Sequence, residues 1–280
     1  MSPRRARTPS WCDIYYGAGK WGTIIGMDVQ QIQSLARQLV DGVVTTEQFI
    51  QQLRAPMTAD LGDVRLDLDR AARCGLPEVI YAEGKPIATL EKIIDMILHH
   101  GEEPFLTRVS QDKADILVNR YEGSRYNQHA RTLRVGSNGP DRTRRGRVCI
   151  ISAGTSDLSV AEEARETADW AGTEVQTVYD VGVAGPQRLL EELETIRSAD
   201  AIVVVAGMEA ALASVVGGHV ACPVFAVPTS VGYGASLGGM AALLSVLKSC
   251  AANVAVVNID AGFKGGYLAA LVARRSQSTE

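Results

Sequence analysis

The feature that most constrains the fold is a regular alternation of short apolar runs and helical patterns between residues 148 and 276. The runs at residues 148–153 and 200–206 are apolar at nearly every position, as expected of strands whose two faces are both buried. Shorter or less uniform runs lie at residues 174–179, 223–227 and 254–258, and helical patterns separate all five. This order predicts an α/β fold with a doubly wound parallel sheet in three layers, α/β/α.

The region before residue 136 has a different organisation. Apolar residues recur at helical spacing over residues 28–40, and Thr45-Thr46-Glu47-Gln48 has the form of a capping box that begins a second helix. Shorter helices and strands follow, so a small N-terminal α+β domain is expected. We divide the chain into a disordered or misassigned extension at residues 1–26, an α+β domain at 27–135, a linker at 136–147 and a catalytic domain at 148–276.

Charge and cysteine content argue against several classes of protein. The chain has 32 acidic and 28 basic residues and a net charge of −4, whereas nucleic-acid binders usually carry a clear basic excess. Its five cysteines include no C-x-x-C pair, so neither a disulfide framework nor a zinc site is predicted. No apolar run approaches the ~18–20 residues of a membrane-spanning helix. We expect a cytoplasmic protein with no membrane or nucleic-acid partner.

Glycine-rich segments with hydroxyl or carboxylate side chains follow every predicted strand. Ligands of doubly wound sheets bind at the carboxyl ends of the strands, so these segments together predict one site. Glycine allows close backbone approach, and hydroxyl groups and helix N-termini bind phosphate well. The G-x-G-x-x-G fingerprint of nicotinamide dehydrogenases is absent after the first strand, which disfavours that class. The candidate substrate-binding residues are Gly154, Thr155, Ser156, Asp157, Asp180, Gly182, Gly185, Gly207, Met208, Thr229, Ser230, Gly232, Tyr233, Gly234, Asn258 and Asp260.

Two reactive side chains each allow two interpretations. Glu209 stands at the start of a helical pattern over residues 208–216, where it either complements the helix dipole or acts as an acid/base at the site. Cys250 ends a helical pattern over residues 236–250, immediately before the last strand. Buried cysteine is common and the negative end of a helix disfavours a thiolate, so the residues alone favour a packing role for Cys250.

The strand-end motifs, taken in order, resemble those of a known family. Gly154-Thr-Ser-Asp157 stands where the phosphoribosylaminoimidazole carboxylase/mutase (PurE) family has G-S-x-S-D. The closer resemblance is to the LarB family of nickel-pincer nucleotide biosynthesis, through SAGTSDLSVAEEA, YDVGVAG, VVVAGMEAAL, AVPTSVGYGASLGG, ALLSVLKSCA and VNIDAGF. GLPEVIYAEGK and LTRV extend this resemblance into the N-terminal region, so that it spans residues 27–275.

The resemblance implies a PurE-like fold and a specific activity. LarB proteins carboxylate the pyridinium ring of nicotinic acid adenine dinucleotide at position 5 with CO2. They also hydrolyse its phosphoanhydride, releasing AMP and pyridinium-3,5-biscarboxylic acid mononucleotide, a precursor of the cofactor of lactate racemase-type enzymes. The family's catalytic cysteine and glutamate fall on Cys250 and Glu209. The resemblance therefore makes Cys250 the expected nucleophile, through a cysteinyl-pyridine intermediate, and Glu209 the expected base.

Partners and cofactors are implied in the same way. The substrates are nicotinic acid adenine dinucleotide and CO2, and the purine-mutase relatives point to a homo-oligomer, specifically an octamer. No tightly bound cofactor and no metal ligand of the protein are expected, with Mg2+ considered only for phosphoanhydride hydrolysis. Residues usual in the family are replaced at four positions that bear on substrate contacts, namely Gln187, Lys248, Ala261 and Lys264.

Two alternative functions stay open. The first is an aminoimidazole ribonucleotide mutase or carboxylase of purine biosynthesis. It is weakened because Gly182-Val-Ala-Gly185 replaces the S-A-H-R segment that holds the proton-handling histidine of that family. The second is a non-catalytic nucleotide-binding module on the same fold, for which Cys250 and Glu209 are dispensable.

Overall fold

The computed structural model describes residues 29–53, 58–62, 64–136 and 144–276. The predicted extension at residues 1–26 and most of the predicted linker lie outside these ranges. The chain divides into two compact units, Met1–Ala59 and Asp60–Glu280. The domain boundaries that we place at residues 135 and 148 stay a prediction.

In the described part of the first unit, the helices Val29–Val40 and Thr46–Leu53 form the expected helical hairpin. The Gln48 backbone N–H donates to Thr45 Oγ1 at 3.2 Å, and the Thr45 backbone N–H donates to Gln48 Oε1 at 2.9 Å. These reciprocal bonds form the capping box that the sequence predicts. They satisfy backbone donors that the start of the second helix would otherwise leave open.

A small mixed sheet with short helices occupies the region up to residue 136. Its strands lie in the order β3 (Ile80–Tyr81), β4 (Phe105–Thr107), β6 (Thr132–Arg134) and β5 (Arg125–Asn127). The pair β3 and β4 is parallel, and the other pairs are antiparallel. Leu90, Leu106 and Leu133 are fully buried in this region. The expected small α+β fold is therefore present. The other strands are β1 (Thr58–Asp60) and β2 (Arg65–Asp67), and the helices are Arg70–Cys74, Ile87–His99 and Gln111–Arg120.

The rest of the chain forms the doubly wound sheet that the sequence predicts. Its five strands are all parallel. They lie in the order β11 (Val254–Val256), β10 (Val224–Pro228), β9 (Ala201–Ala206), β7 (Arg147–Ser152) and β8 (Glu174–Val178). The winding reverses between β7 and β9, and such a switch point is where ligands of these sheets bind. The helices are Leu158–Trp170, Pro186–Glu191, Leu193–Arg197, Leu212–Gly217, Met240–Leu247 and Gly262–Ser276.

Both faces of this sheet are buried, which explains why its central strands are apolar throughout. Val148 of β7 packs on the face covered by helices Leu158–Trp170 and Gly262–Ser276. Its neighbour Cys149 packs on the opposite face, because successive side chains of a strand point to opposite sides. The three-layer α/β/α architecture is confirmed.

Two predicted helices begin later than the sequence pattern indicates. The helix expected over residues 236–250 is preceded by a 3-10 segment, Gly234–Gly239, and runs only from Met240 to Leu247. The break comes at Leu237 and Gly238, which have left-handed φ values of 47° and 63°. The helix expected over residues 208–216 runs from Leu212 to Gly217. Glu209 is therefore outside the helix, and its interpretation as a first-turn glutamate is wrong.

Candidate functional site

A cavity of about 480 Å³ lies at the carboxyl edge of the parallel sheet. It is lined by the segments that follow β7, β8 and β9, and so it sits at the switch point between β7 and β9. The structure brings nine of the predicted site residues together here. They are Gly154, Thr155, Ser156, Asp157, Asp180, Gly182, Gly207, Met208 and Glu209.

Asp157 joins two of the loops at this edge. Its Oδ1 accepts a hydrogen bond from Thr229 Oγ1 at 2.6 Å, and its Oδ2 accepts one from the Gly154 backbone N–H at 3.1 Å. Burial raises the pKa of the Asp157 carboxyl group above its usual range, although these hydrogen bonds oppose the rise. With both oxygens engaged, Asp157 fixes the loops after β7 and β10 relative to each other. The helix Leu158–Trp170 begins beside it and directs its N-terminal dipole toward the cavity.

Glu209 is presented by a strained turn. Met208 and Ala210, which flank it, both have left-handed backbone conformations, with φ values of 55° and 52°. Such conformations cost about 1–3 kcal/mol for residues other than glycine and are concentrated at functional sites. The turn is held by the Met208 N–H, which donates to the Val231 carbonyl oxygen at 3.0 Å. The Glu209 side chain is exposed and lines the cavity, so it is available to a ligand there.

Arg188 also lines the cavity, and sequence reasoning missed it as a site residue. Its Nη1 lies 2.8 Å from Asp180 Oδ2, and both side chains are about half exposed. Among the described residues around the cavity, Arg188 is the one cation, which makes it the natural partner for an anionic ligand. Its position in the sequence could have indicated this role, because Arg188 lies in the first turn of the helix that follows the Gly182–Gly185 segment.

The remaining predicted binding residues are at the same edge but not in the cavity wall. Thr229 is hydrogen-bonded to Asp157 and Ala206 of the cavity wall, and Ser230 donates its backbone N–H to Asp260 Oδ1 at 2.8 Å. Asn258 accepts a hydrogen bond from its neighbour Ile259. A binding role for these residues stays a prediction. The residues in this group are Gly185, Thr229, Ser230, Gly232, Tyr233, Gly234, Asn258 and Asp260.

Cys250 is at the opposite edge of the sheet from Glu209. It lies three residues beyond the end of helix Met240–Leu247 and four residues before β11 begins. The adjoining Ser249 Oγ is 2.8 Å from Ser214 Oγ, and Asn253 Nδ2 donates to the Gly217 carbonyl oxygen at 3.2 Å. This places the Cys250 loop at the amino ends of β10 and β11. β9 and β10, with six and five residues, each span about 15–20 Å at about 3.3 Å per residue, and this length separates the two edges of the sheet.

Cys250 is nevertheless not a core residue. Its side chain is exposed, whereas that of Cys149 is buried. The packing role that the residues alone favoured is therefore not supported. Within one copy of the chain, however, Cys250 and Glu209 are too far apart to act on one ring.

Gly207, directly after β9, allows a test of how closely the loop after β10 approaches the backbone at this edge of the sheet. A Cβ at this position would lie 2.4 Å from the Val231 carbonyl oxygen and 2.7 Å from Thr229 Oγ1. Gly207→Ala is expected to lower the free energy of unfolding by about 1–3 kcal/mol, because the backbone must move to relieve the clash. Urea unfolding followed by circular dichroism measures this change.

Gly218→Ala is the matched control, since its Cβ would meet only the Val215 carbonyl oxygen at 3.4 Å and the Ser214 oxygen at 3.8 Å. It should leave the free energy of unfolding within about 1 kcal/mol of the parent. Equal unfolding midpoints for the two variants would contradict the close approach at Gly207.

The described residues were also searched for metal-binding clusters and membrane-spanning helices. Within residues 29–53, 58–62, 64–136 and 144–276, no group of three or more His, Cys, Asp or Glu side chains is arranged to hold a metal ion. None of the helices in those ranges is long and apolar enough to cross a bilayer. Mg2+ bound to the substrate's diphosphate stays a prediction.

Comparisons with known proteins identify relatives of this chain. Residues 58–137 match the family model of the LarB/PurE-like N-terminal domain, and residues 147–279 match that of AIR carboxylase. An uncharacterized protein of Methanocaldococcus jannaschii is 34% identical over 253 residues, which cover 88% of this chain and 98% of that protein. The crystal structure of a PurE2 variant from Treponema denticola is similar over 48% of this chain and 80% of its own, with 24% identity and a TM-score of 0.38. The two family matches and the full-length similarity to the archaeal protein show that the chain belongs to the LarB family and that its C-terminal part is a PurE-like domain.

Proposed function

We propose that this protein carboxylates the pyridinium ring of nicotinic acid adenine dinucleotide at position 5 with CO2 and hydrolyses the phosphoanhydride to release AMP. The observation that carries the proposal is the exposed Glu209 carboxylate, held by a strained turn over a cavity at the switch point of a PurE-like sheet. A carboxylate in this position suits a base that removes a proton from a bound ring. Membership of the LarB family favours this substrate over other nucleotides.

The cavity has the features that a dinucleotide diphosphate requires. Thr155 and Ser156 line it with their hydroxyl-bearing side chains, next to the N-terminus of helix Leu158–Trp170. Arg188 also lines it and becomes available once its ion pair with Asp180 opens toward the ligand. Helix N-termini and arginine are the usual partners of phosphate oxygens. We infer that these groups bind the diphosphate and leave the pyridinium ring near Glu209.

The proposed chemistry requires both a nucleophile and a base. The Cys250 thiolate adds to a ring carbon next to position 5, and its electron pair forms the S–C bond while the ring becomes an enamine. The enamine carbon at position 5 then attacks CO2 and forms the new C–C bond. Glu209 removes the hydrogen from that carbon, the enamine forms again, and expulsion of the thiolate restores the aromatic pyridinium. The net change is replacement of a ring proton by a carboxylate.

The position of Cys250 leads us to propose that each site is shared between two copies of the chain. Leu237, Met240, Leu244 and Leu247 are all exposed, and the last three share one face of helix Met240–Leu247. This apolar stripe points toward association, because monomeric proteins seldom leave such a row uncovered. Cys250 follows directly after the stripe. A neighbouring copy packed on the stripe would bring its own cavity to this cysteine.

Aminoimidazole ribonucleotide carboxylation is the second candidate, because residues 147–279 match the AIR carboxylase family model. The two reactions differ in what they require of the segment after β8. Carboxylation of the imidazole in the PurE family depends on a histidine there, and this chain has Gly182-Val-Ala-Gly185. The LarB-type reaction instead requires a cysteine, which this chain supplies at position 250.

Product analysis separates the two candidates. The purified protein is incubated with isotopically labelled bicarbonate and either nicotinic acid adenine dinucleotide or aminoimidazole ribonucleotide, and products are identified by mass spectrometry. We expect labelled pyridinium-3,5-biscarboxylic acid mononucleotide and AMP from the dinucleotide alone. Label in the imidazole product would favour the second candidate. Folded protein that binds the dinucleotide without converting it would favour a non-catalytic module and would overturn the proposal.

A further inference from the structure

Arg108 connects the N-terminal α+β region to the carboxyl edge of the parallel sheet. It directly follows β4, and its Nε and Nη2 donate to the two carboxylate oxygens of Glu163 at 3.1 and 3.3 Å. The same Nη2 also donates to the backbone carbonyl oxygen of Asp260. Glu163 is buried on helix Leu158–Trp170, whereas Asp260 belongs to the loop after β11. One guanidinium group thus binds two separate segments of the PurE-like domain.

Asp260 in turn is hydrogen-bonded to the loop after β10. Its backbone N–H donates to the Pro228 carbonyl oxygen at 2.9 Å, and its Oδ1 accepts the Ser230 backbone N–H at 2.8 Å. Asp260 has a left-handed φ of 54°, a conformation that aspartate adopts more readily than most residues and that its hydrogen-bonding contacts stabilise further. The hydrogen bond from Arg108 to the Asp260 carbonyl is one of those contacts.

The loop after β10 is also hydrogen-bonded to the cavity wall. Thr229, next to Ser230, donates its hydroxyl to Asp157 Oδ1 at 2.6 Å, and Asp157 lines the cavity. A continuous series of hydrogen bonds therefore runs from Arg108 through Asp260 and the loop after β10 to the cavity wall. Arg108 itself does not line the cavity. Its effect on a ligand must be indirect.

We propose that Arg108 is a positioning residue through which the N-terminal region orders the substrate-binding loops at the edge of the sheet. The proposal rests on the proposed function, in which this edge binds the dinucleotide. Arg108 also has a left-handed φ, of 57°, so its backbone is itself held in a disfavoured state. In this role, one side chain of the α+β region fixes the loop after β10, which is hydrogen-bonded to Asp157.

Arg108→Lys tests this role with little risk to folding. Lysine keeps a positive charge beside Glu163, but its single nitrogen replaces the two that hold Glu163 and the Asp260 carbonyl together. Arg125→Lys is the matched control. Arg125 Nη2 is 2.8 Å from Glu166 Oε2, so it joins the same region to the same helix without touching either loop.

The primary measurement is amide hydrogen exchange of the ligand-free, full-length protein. Loss of one hydrogen bond corresponds to about a three- to tenfold faster exchange, which we expect at Thr229 and Ser230 in Arg108→Lys and not in Arg125→Lys. Unchanged exchange in Arg108→Lys, or equal acceleration in both variants, would overturn the proposal. This readout needs no turnover, so it stands even if the proposed reaction is wrong.

The second measurement is steady-state kinetics with nicotinic acid adenine dinucleotide. We expect the KM of Arg108→Lys to rise about three- to tenfold with a much smaller change in kcat, because substrate binding must now order the loops. Arg125→Lys should have the KM of the parent. A fall in kcat alone, with KM unchanged, would contradict a role in binding-loop order.

Discussion

Replacing Cys250 by alanine is expected to lower the rate of ring carboxylation by at least about 10³-fold while the protein stays folded. Without the thiolate the pyridinium ring remains aromatic and electron-poor, so position 5 cannot attack CO2. Cys250 is exposed, so the substitution removes little packing and should change the free energy of unfolding by under about 0.5 kcal/mol. Labelled bicarbonate incorporation measures the rate, and thermal unfolding checks the fold.

Cys74 supplies the matched control, because its side chain is also exposed and it lies far along the chain in helix Arg70–Cys74. Cys74→Ala should carboxylate the ring at the parental rate. If Cys250→Ala also did so, the covalent mechanism would be wrong even if the protein were a carboxylase of this substrate.

Glu209→Gln should lower the rate of ring carboxylation by about 10²–10⁴-fold, the usual effect of losing a general base.

Co-expression of Cys250→Ala with Glu209→Gln tests whether sites are shared between copies. In a mixed assembly, a shared site is intact when its glutamate comes from the first variant and its cysteine from the second. Random mixing makes about one quarter of the sites intact, so activity should return to about a quarter of the parental value. A mixture as inactive as either variant would mean that both groups of a site come from one copy.

Replacing Arg134 by leucine is expected to produce the largest loss of stability, about 3–5 kcal/mol. The Arg134 side chain is only 10% exposed and donates to Glu103 Oε1 at 2.6 Å and to Asp169 Oδ2 at 2.5 Å. It joins β6 of the small sheet to helix Leu158–Trp170. Leucine would remove a buried cation and leave two nearby carboxylates without it. The free energy of unfolding in urea at neutral pH measures the cost.

Arg65→Leu is the control for Arg134→Leu. Arg65 Nε lies 3.3 Å from Asp60 Oδ2, but the two side chains are 81% and 60% exposed. Removal of an exposed pair should cost under about 1 kcal/mol. Similar losses in both variants would show that burial does not govern the Arg134 interactions.

The cost of Arg134→Leu should also depend on pH. Burial raises the pKa of the Asp169 carboxyl group, but Arg144 and Arg134 more than offset this, so that its pKa in the folded protein is below the usual range. A depressed pKa contributes stability that is present above the unfolded value, about 3.9, and is lost as the pH falls through the folded value. The difference between parent and variant should therefore be largest near neutral pH and shrink below about pH 4. A difference that grew on acidification would contradict this sign.

The sequence predicted the sheet well, because burial on both faces demands apolar residues at successive strand positions. Val148 and Cys149 show why: they point to opposite faces, and both are buried. Helix starts were predicted less well. The left-handed residues Met208, Ala210 and Leu237 are not glycine, asparagine or aspartate, so no residue preference marks them, and the helices after them begin later than the apolar periodicity indicates.

Cavity-lining residues were predictable where they closely follow a strand. Gly154 to Asp157 and Gly207 to Glu209 meet at one cavity, since the carboxyl ends of β7 and β9 are neighbours at the switch point. Arg188 was not recognised, because a single arginine in a helix carries no motif. Arg108 was part of the family resemblance through LTRV, but nothing in the sequence links it to Asp260, more than 150 residues away.

The resemblance to the LarB family names Cys250 and Glu209 as the candidate reactive side chains. By itself, the pattern of the sequence determined the fold class and the edge of the sheet at which the cavity lies. These follow from local periodicity and from the rule that successive βα segments end at one edge. Only the tertiary structure decided how the reactive groups are arranged, because distances across a sheet depend on strand direction and on packing between distant segments. It places Glu209 at the cavity and Cys250 at the opposite edge of the sheet, and strands of five or six residues separate these edges by about 15–20 Å. The family motifs name both residues, but the geometry is what makes a second copy of the chain part of the proposed mechanism.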